Sequence, residues 1–148
     1  AVFADLGYDS TETWSSEVVD RLEHVDVFLP NAMEATRMAR TSDLEGSARN
    51  LAALARLVVV KNGDRGAVAC TDGTVTTSAG VPTETVDTTG AGDSFDAGFL
   101  AAWLGDEPLD RALAIANACG ALSTRVIGGI GAQPTMEEAR SALEVTPA

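Results

Sequence analysis

The sequence predicts an α/β fold built on a mostly parallel sheet, with an antiparallel hairpin at one side. Three observations carry that expectation. Apolar runs at 1–6 ("AVFADL"), 25–29 ("VDVFL") and 57–61 ("LVVVK") read as strands, and each of the first two is followed by a stretch of helical periodicity. The 57–61 run is β-branched and almost uninterrupted, the pattern of a strand buried on both faces. "AVACT" (67–71) and the alternating "TVTTSA" (74–79) flank Asp72-Gly73, a two-residue hairpin turn.

The remaining elements follow in order. The first strand ends near Asp5 and Gly7. Ser15 is placed to cap a helix running through His24, with Val18, Val19 and Leu22 on one face. Pro30 stops the second strand, and helices are expected at 32–40 and 44–55. "NGDRG" (62–66) is a turn cluster. After a turn at 86–93 come three helices, at 91–104, 108–126 and 135–144, with Pro108 and Pro134 marking two of their starts. There is no internal repeat and no low-complexity linker.

A chain of 148 residues with 45% apolar content suits one domain or a large piece of one. Lysine and arginine number 10 against 22 acidic residues, a net charge of −12. That balance excludes the basic footprint of a nucleic-acid surface and argues against an anionic membrane. It reads as solubility or adaptation to salt. Anions can still be held if the positive field is local, at a helix N-terminus or a metal ion. Cys70 and Cys119 lack metal-ligand spacing and sit among small apolar residues, so they read as reduced core residues. His24 is the only histidine and falls at a helix end, which leaves no Ser/His/Asp or Cys/His mechanism. No run reaches membrane-spanning length and no signal peptide opens the chain, so the expected compartment is cytoplasmic. The chain opens on Ala1 rather than Met, which reads as the end of a fragment.

The most informative stretch is "VDTTGAGDSFDAGFLAAWL" (86–104). A helix start has unpaired N–H groups and a partial positive charge. Gly90, Ala91 and Gly92 can aim backbone N–H groups at one anion, with no bulky side chain in the way. Asp93, in the first helical turn, would repel that anion, so its useful task is to take a proton from whatever attacks it. Donors for a transferred group beside a base for the acceptor hydroxyl are the parts that phosphoryl transfer needs. The plainer reading is a glycine-rich turn with Asp93 as a helix-start charge.

The segment "DTTGAGDSFDAGF" resembles the C-terminal signature of the ribokinase-like sugar kinases, the PfkB family. The resemblance implies a ribokinase-like layered αβα core. It makes Asp93 the catalytic base and Gly90, Ala91 and Gly92 the anion hole. "PNAMEA" (30–35) matches the family's Asn-x-x-Glu pattern with Asn31 and Glu34, which implies organisation of Mg2+, water and phosphate, Glu34 acting through water. By themselves these two residues read as a capped helix start. "VVVKNGDRGA" (58–67) resembles the family's nucleotide-phosphate loop, with Lys61, Gly63 and Gly66 at matching positions; unaided, Lys61 is a surface lysine before a hairpin. Asp87 and Thr89 match a monovalent-cation site, implying K+, though a turn-capping aspartate reads equally well. Asn117 aligns near the adenine pocket, and "IGGIGAQP" (127–134) would flank it.

The resemblance covers only the C-terminal part of the family's domain, over residues 1–148. The N-terminal half, with its lid and most sugar-binding residues, has no counterpart. Near the start, "ADLGYDSTETW" resembles a substrate-side strand: Asp5 and Trp14 fit, whereas Gly7 and Asp9 replace the polar pair expected there. The function implied is ATP-dependent phosphoryl transfer to a hydroxyl of a sugar or related small molecule, with ATP and Mg2+ as cofactors. A nucleoside acceptor and a nucleotide-binding half without activity of its own are the alternatives. Nucleic-acid and membrane partners are not expected, and a homo-oligomer is left open.

Overall fold

The computed structural model describes residues 1–7 and 16–145; the expected cap Ser15, with Asp9 and Trp14, lies outside them. Five strands form one sheet in chain order: β1 (Phe3–Ala4), β2 (Val27–Phe28), β3 (Leu57–Lys61), β4 (Ala67–Thr71) and β5 (Thr74–Ser78). The first three are parallel, with Phe3 opposite Val27 and Val27 opposite Leu57. Residues 72–73 leave β4 and β5 room only for an antiparallel pairing. The sheet is therefore mixed, as expected.

The named strands β1 and β2 are shorter than the expected 1–6 and 25–29. Their ladder runs further than their labels: Val27 N–H donates to Val2 O (3.1 Å), Leu29 N–H to Ala4 O (2.9 Å) and Leu57 N–H to Asp26 O (3.0 Å). The crossovers between parallel strands contain α1 (Ser16–Asp20), which tightens into a 3-10 turn at Arg21–His24, then α2 (Ala32–Ala39) and α3 (Leu44–Leu51). Helix α3 stops short of the expected Ala55. Beyond Leu51 the chain closes tighter turns, with Leu54 N–H donating to Leu51 O (2.9 Å).

Two compact units are present, one drawn from residues 1–62 and 68–76, the other from 63–67 and the residues from 77 onward. The core of the first unit forms around Val58 and Val60 of β3, both fully buried, with Phe28, Ala35, Leu51 and Cys70 packed in the same cluster. This is what a β-branched central strand does: both faces are covered and the backbone is fully paired.

The second unit is built on α4 (Ala91–Leu104), α5 (Leu109–Ser123) and α6 (Met136–Val145). Helices α4 and α5 pack along much of their length because small residues line their seam. A Cβ on Gly98 would lie 2.6 Å from Cys119 Sγ, and one on Gly120 would lie 3.2 Å from Ala91 O. Phe99, Leu113 and Ile115 are fully buried there. Helix α5 ends before the expected residue 126 because side chains take its last carbonyls: Ser123 Oγ donates to Gly120 O, and Thr124 Oγ1 donates to Ala121 O. Thr135 caps α6, exchanging hydrogen bonds with Glu138. Cys70 in the first unit and Cys119 in the second are buried free thiols, and burial pushes both pKa values up.

Candidate active site

The turn before α4 is anchored at several points. Val86 and Asp87 N–H both donate to Thr124 O, at 2.8 and 3.0 Å. Asp87 Oδ2 accepts Gly128 N–H (2.8 Å), and Oδ1 accepts both Thr89 N–H (2.9 Å) and Thr89 Oγ1 (2.7 Å). These donors, Gly128 first, hold the Asp87 carboxyl below the usual aspartate range. The carboxylate expected to bind K+ is thus engaged on both oxygens as a clasp between the turn and the loop after α5.

Gly90 is the residue on which the turn reverses. Its φ of 74° is left-handed, and a Cβ there would sit 2.8 Å from Gly129 O. Glycine meets both demands without strain. Helix α4 then starts, with Ser94 N–H donating to Gly90 O (3.0 Å). Of the three amides expected to form the anion hole, Ala91 N–H is donated to Thr88 O (3.1 Å). The amides of Gly90 and Gly92, with that of Asp93, have no acceptor among the described residues. Asp93 and Gly92 are exposed, so the carboxylate and the open N–H groups share one accessible helical turn.

The Gly63–Arg65 segment is a 3-10 turn closed by Gly66 N–H donating to Gly63 O (3.1 Å). Gly63 and Gly66 both have left-handed backbones. Asn117 is buried on α5, and its amide Nδ2 reaches Ala79 O and Ser78 Oγ at 3.1 Å and Ser78 O at 3.3 Å.

In the first unit, Asn31 caps α2. Its Oδ1 accepts Glu34 N–H (3.0 Å) and Glu34 Oε2 accepts Asn31 N–H (2.9 Å), a reciprocal capping box. Glu34 is 2% exposed. Burial raises its pKa above the ordinary glutamate value, and Asp5 adds to the rise; the Asn31 hydrogen bonds and Lys61 oppose it. Lys61 Nζ lies 3.0 Å from Asp5 Oδ2, and the lysine side chain is only 12% exposed. Asn31 and Lys61 face each other across a single parallel bridge. The structure therefore gathers Asn31, Glu34, Lys61 and Asp5 into one polar cluster at the ends of β2 and β3.

Sequence reasoning missed the partners. Asp5, a substrate-side residue by the resemblance, is also the counter-ion of Lys61; Thr124, Gly128 and Gly129 brace the turn before α4. Nothing local in the sequence marks these pairs, because each joins segments distant along the chain. Among the described residues no group of three His, Cys, Asp or Glu side chains could hold a metal ion. No helix of the described residues is long and apolar enough to cross a membrane.

The model of the family described as pfkB family carbohydrate kinase matches residues 5–136. The chain belongs to the pfkB family. Among its similar proteins is the ATP-dependent ribose-1-phosphate kinase of Halopiger xanaduensis, 50% identical over 68 residues, which cover 46% of this chain and 23% of that protein. An Escherichia coli protein solved with ATP and Mg2+ superposes with a TM-score of 0.79 at 28% identity, over 87% of this chain and 42% of that one. Arabidopsis thaliana ribokinase, solved with ribose and ATP, gives a TM-score of 0.76 at 27% identity, over 89% and 44%. The pfkB-family chain thus has a partial ribokinase-like fold and spans less than half the length of these proteins.

Proposed function

We propose that this pfkB-family chain carries the phosphoryl-transfer machinery of an ATP-dependent kinase whose acceptor is a hydroxyl of a sugar or related small molecule. The observation that carries the reading is the first turn of α4, where backbone N–H groups at Gly90 and Gly92, without an acceptor among the described residues, stand beside the exposed carboxylate of Asp93. Asp93 accepts the proton of the acceptor hydroxyl as its oxygen attacks. The amides of Gly90 and Gly92 stabilise the charge that grows on the transferred group, and they need no reorganisation to do so because Asp87 and Gly129 already fix the turn. The Ala91 amide supports the turn itself.

Lys61 serves as a point charge toward the phosphates and shares its ammonium with Asp5. Glu34, held by Asn31, would orient water toward a metal bound with the nucleotide. Gly63 and Gly66 shape the nucleotide loop. Magnesium supplies charge neutralisation on the phosphates when it is bound with the nucleotide. The relatives support this choice of cofactors and acceptor: one is an ATP-dependent ribose-1-phosphate kinase, one is a ribokinase solved with ribose and ATP, and one was solved with ATP and Mg2+.

The test is calorimetric titration of the folded chain with Mg-ATP, followed by ADP release in the presence of pentoses, hexoses and nucleosides. Saturable heat below millimolar Mg-ATP is expected, with sugar-dependent ADP release from this chain alone weak, because the sugar-side half and its lid have no counterpart in it. No detectable heat at millimolar Mg-ATP would overturn the reading, and release stimulated by nucleosides alone would replace the acceptor.

A further inference from the structure

We propose that Asn117 is a positioning residue for the 63–66 loop: from α5 its amide clamps the segment that leaves β5, and that segment in turn sets the loop. The proposal rests on the reading of 63–66 as the nucleotide loop. It assigns Asn117 a task other than touching the base.

The chain of contacts is continuous within one compact unit, which takes in 63–67 together with the residues from 77 onward. At one end Asn117 is 5% exposed, and its Nδ2 is within hydrogen-bond reach of Ser78 O, Ser78 Oγ and Ala79 O. An NH2 group has two donors, so the three acceptors already saturate it. At the other end the 63–66 loop lies backbone to backbone on residues 78–80. A Cβ on Gly66 would run into Ser78 O, and one on Gly80 would run into Asp64 O. Both glycines are therefore needed for the approach, and Gly66 also holds a left-handed φ of 94°. A loop seated this closely on a neighbouring strand end takes its position from that strand end. The only side-chain hydrogen bonds to Ser78 and Ala79 among the described residues come from Asn117.

Any small shift of 78–80 is thus passed to Gly63 and Gly66. Backbone packed without side chains has no rotamer with which to absorb it. Loss of the Asn117 amide leaves the carbonyls of 78 and 79 without their buried donor and frees the strand end to move.

The experiment compares Asn117→Ala with Ile115→Val, a mild core change on the same helix at a residue not implicated in the clamp. Hydrogen exchange of the unliganded chain is read at 62–67 and 78–81. Mg-ATP affinity is read by calorimetry on the same samples at a temperature where both variants are folded. For Asn117→Ala we expect faster exchange confined to those two segments and Mg-ATP binding weakened about 5- to 10-fold, the scale of one or two net hydrogen bonds. For Ile115→Val we expect neither. Unchanged exchange at 62–67 in Asn117→Ala would overturn the clamp, as would equal loosening by Ile115→Val. The exchange measurement needs no nucleotide. If the wild-type chain fails to bind Mg-ATP while the exchange pattern holds, the proposed function falls and the clamp stands.

Discussion

Asp93 is an acidic residue beside open N–H groups, an arrangement a helix start does not need for its own stability beyond a modest dipole term. Its role separates cleanly by substitution. Asp93→Asn keeps size and shape but cannot take a proton. Sugar-dependent turnover should fall about 10²–10⁴-fold, while the Mg-ATP dissociation constant changes little. A variant keeping more than about a tenth of wild-type turnover, far short of a lost base, would reduce Asp93 to a helix-start charge. Glu34 offers a second residue-scale test through pH. Its folded pKa is raised by burial, so the folded state holds its proton more tightly than the unfolded chain does. Its contribution to stability is fully present below the ordinary value of 4.5 and is lost as pH rises through the raised value. Glu34→Gln can still accept Asn31 N–H without burying a charge. The variant should therefore gain on wild type as pH rises from about 4 to 7, the range in which an ordinary glutamate ionises. Denaturant unfolding at both pH values checks this, and a gap that shrinks with rising pH would contradict it. The helix start at the GAGD turn was legible because its residues are contiguous and the glycine signal is local. Asn117 was read through its resemblance as neighbouring the base, while its hydrogen-bond partners Ser78 and Ala79 lie 39 and 38 positions away, and no local pattern announces them.

At the scale of elements, the seam between α4 and α5 sets a strict size limit. Gly98→Ala places a methyl 2.6 Å from Cys119 Sγ and 2.8 Å from its Cβ. Ala is the better helix former, so propensity alone predicts a gain of about 1 kcal/mol. Overpacking of a fixed seam costs about 1–3 kcal/mol and should win. Urea unfolding should show net destabilisation, relieved in part when Cys119→Ala is added, since alanine removes Sγ and keeps the Cβ; no relief at all would place the strain elsewhere. Element types and order were legible throughout, because β-branched runs, helical periodicity and the Asp72-Gly73 turn are local signals. Element ends were less so. Helix α5 gives out at Ser123 because Ser and Thr hydroxyls take its last carbonyls, a competition that the "LSTRV" run only hints at. Strand β2 is named for two residues although its hydrogen-bonding reaches Leu29, since pairing depends on what the neighbouring strand presents.

At the scale of the whole molecule, a net charge of −12 means that any phosphate held by the chain needs a local positive field, such as a helix start or a lysine. Composition alone argues against a basic binding surface and points to no particular residue. The division of the chain into two compact units was also not legible, because the 63–67 segment joins the second unit while the strands around it belong largely to the first. The two cysteines fall one to each unit, both buried, with thiol pKa values pushed up. A thiol in that condition reacts only when its surroundings open. Cys70 and Cys119 are therefore a built-in pair of clocks. Labelled by a small alkylating reagent and resolved by peptide mass, they time the opening of each unit separately, with no probe added to the chain. Equal labelling rates at every urea concentration mean that the protein opens as one cooperative body. Rates that diverge at low urea and merge near the midpoint mean that one unit breathes while the other stays shut.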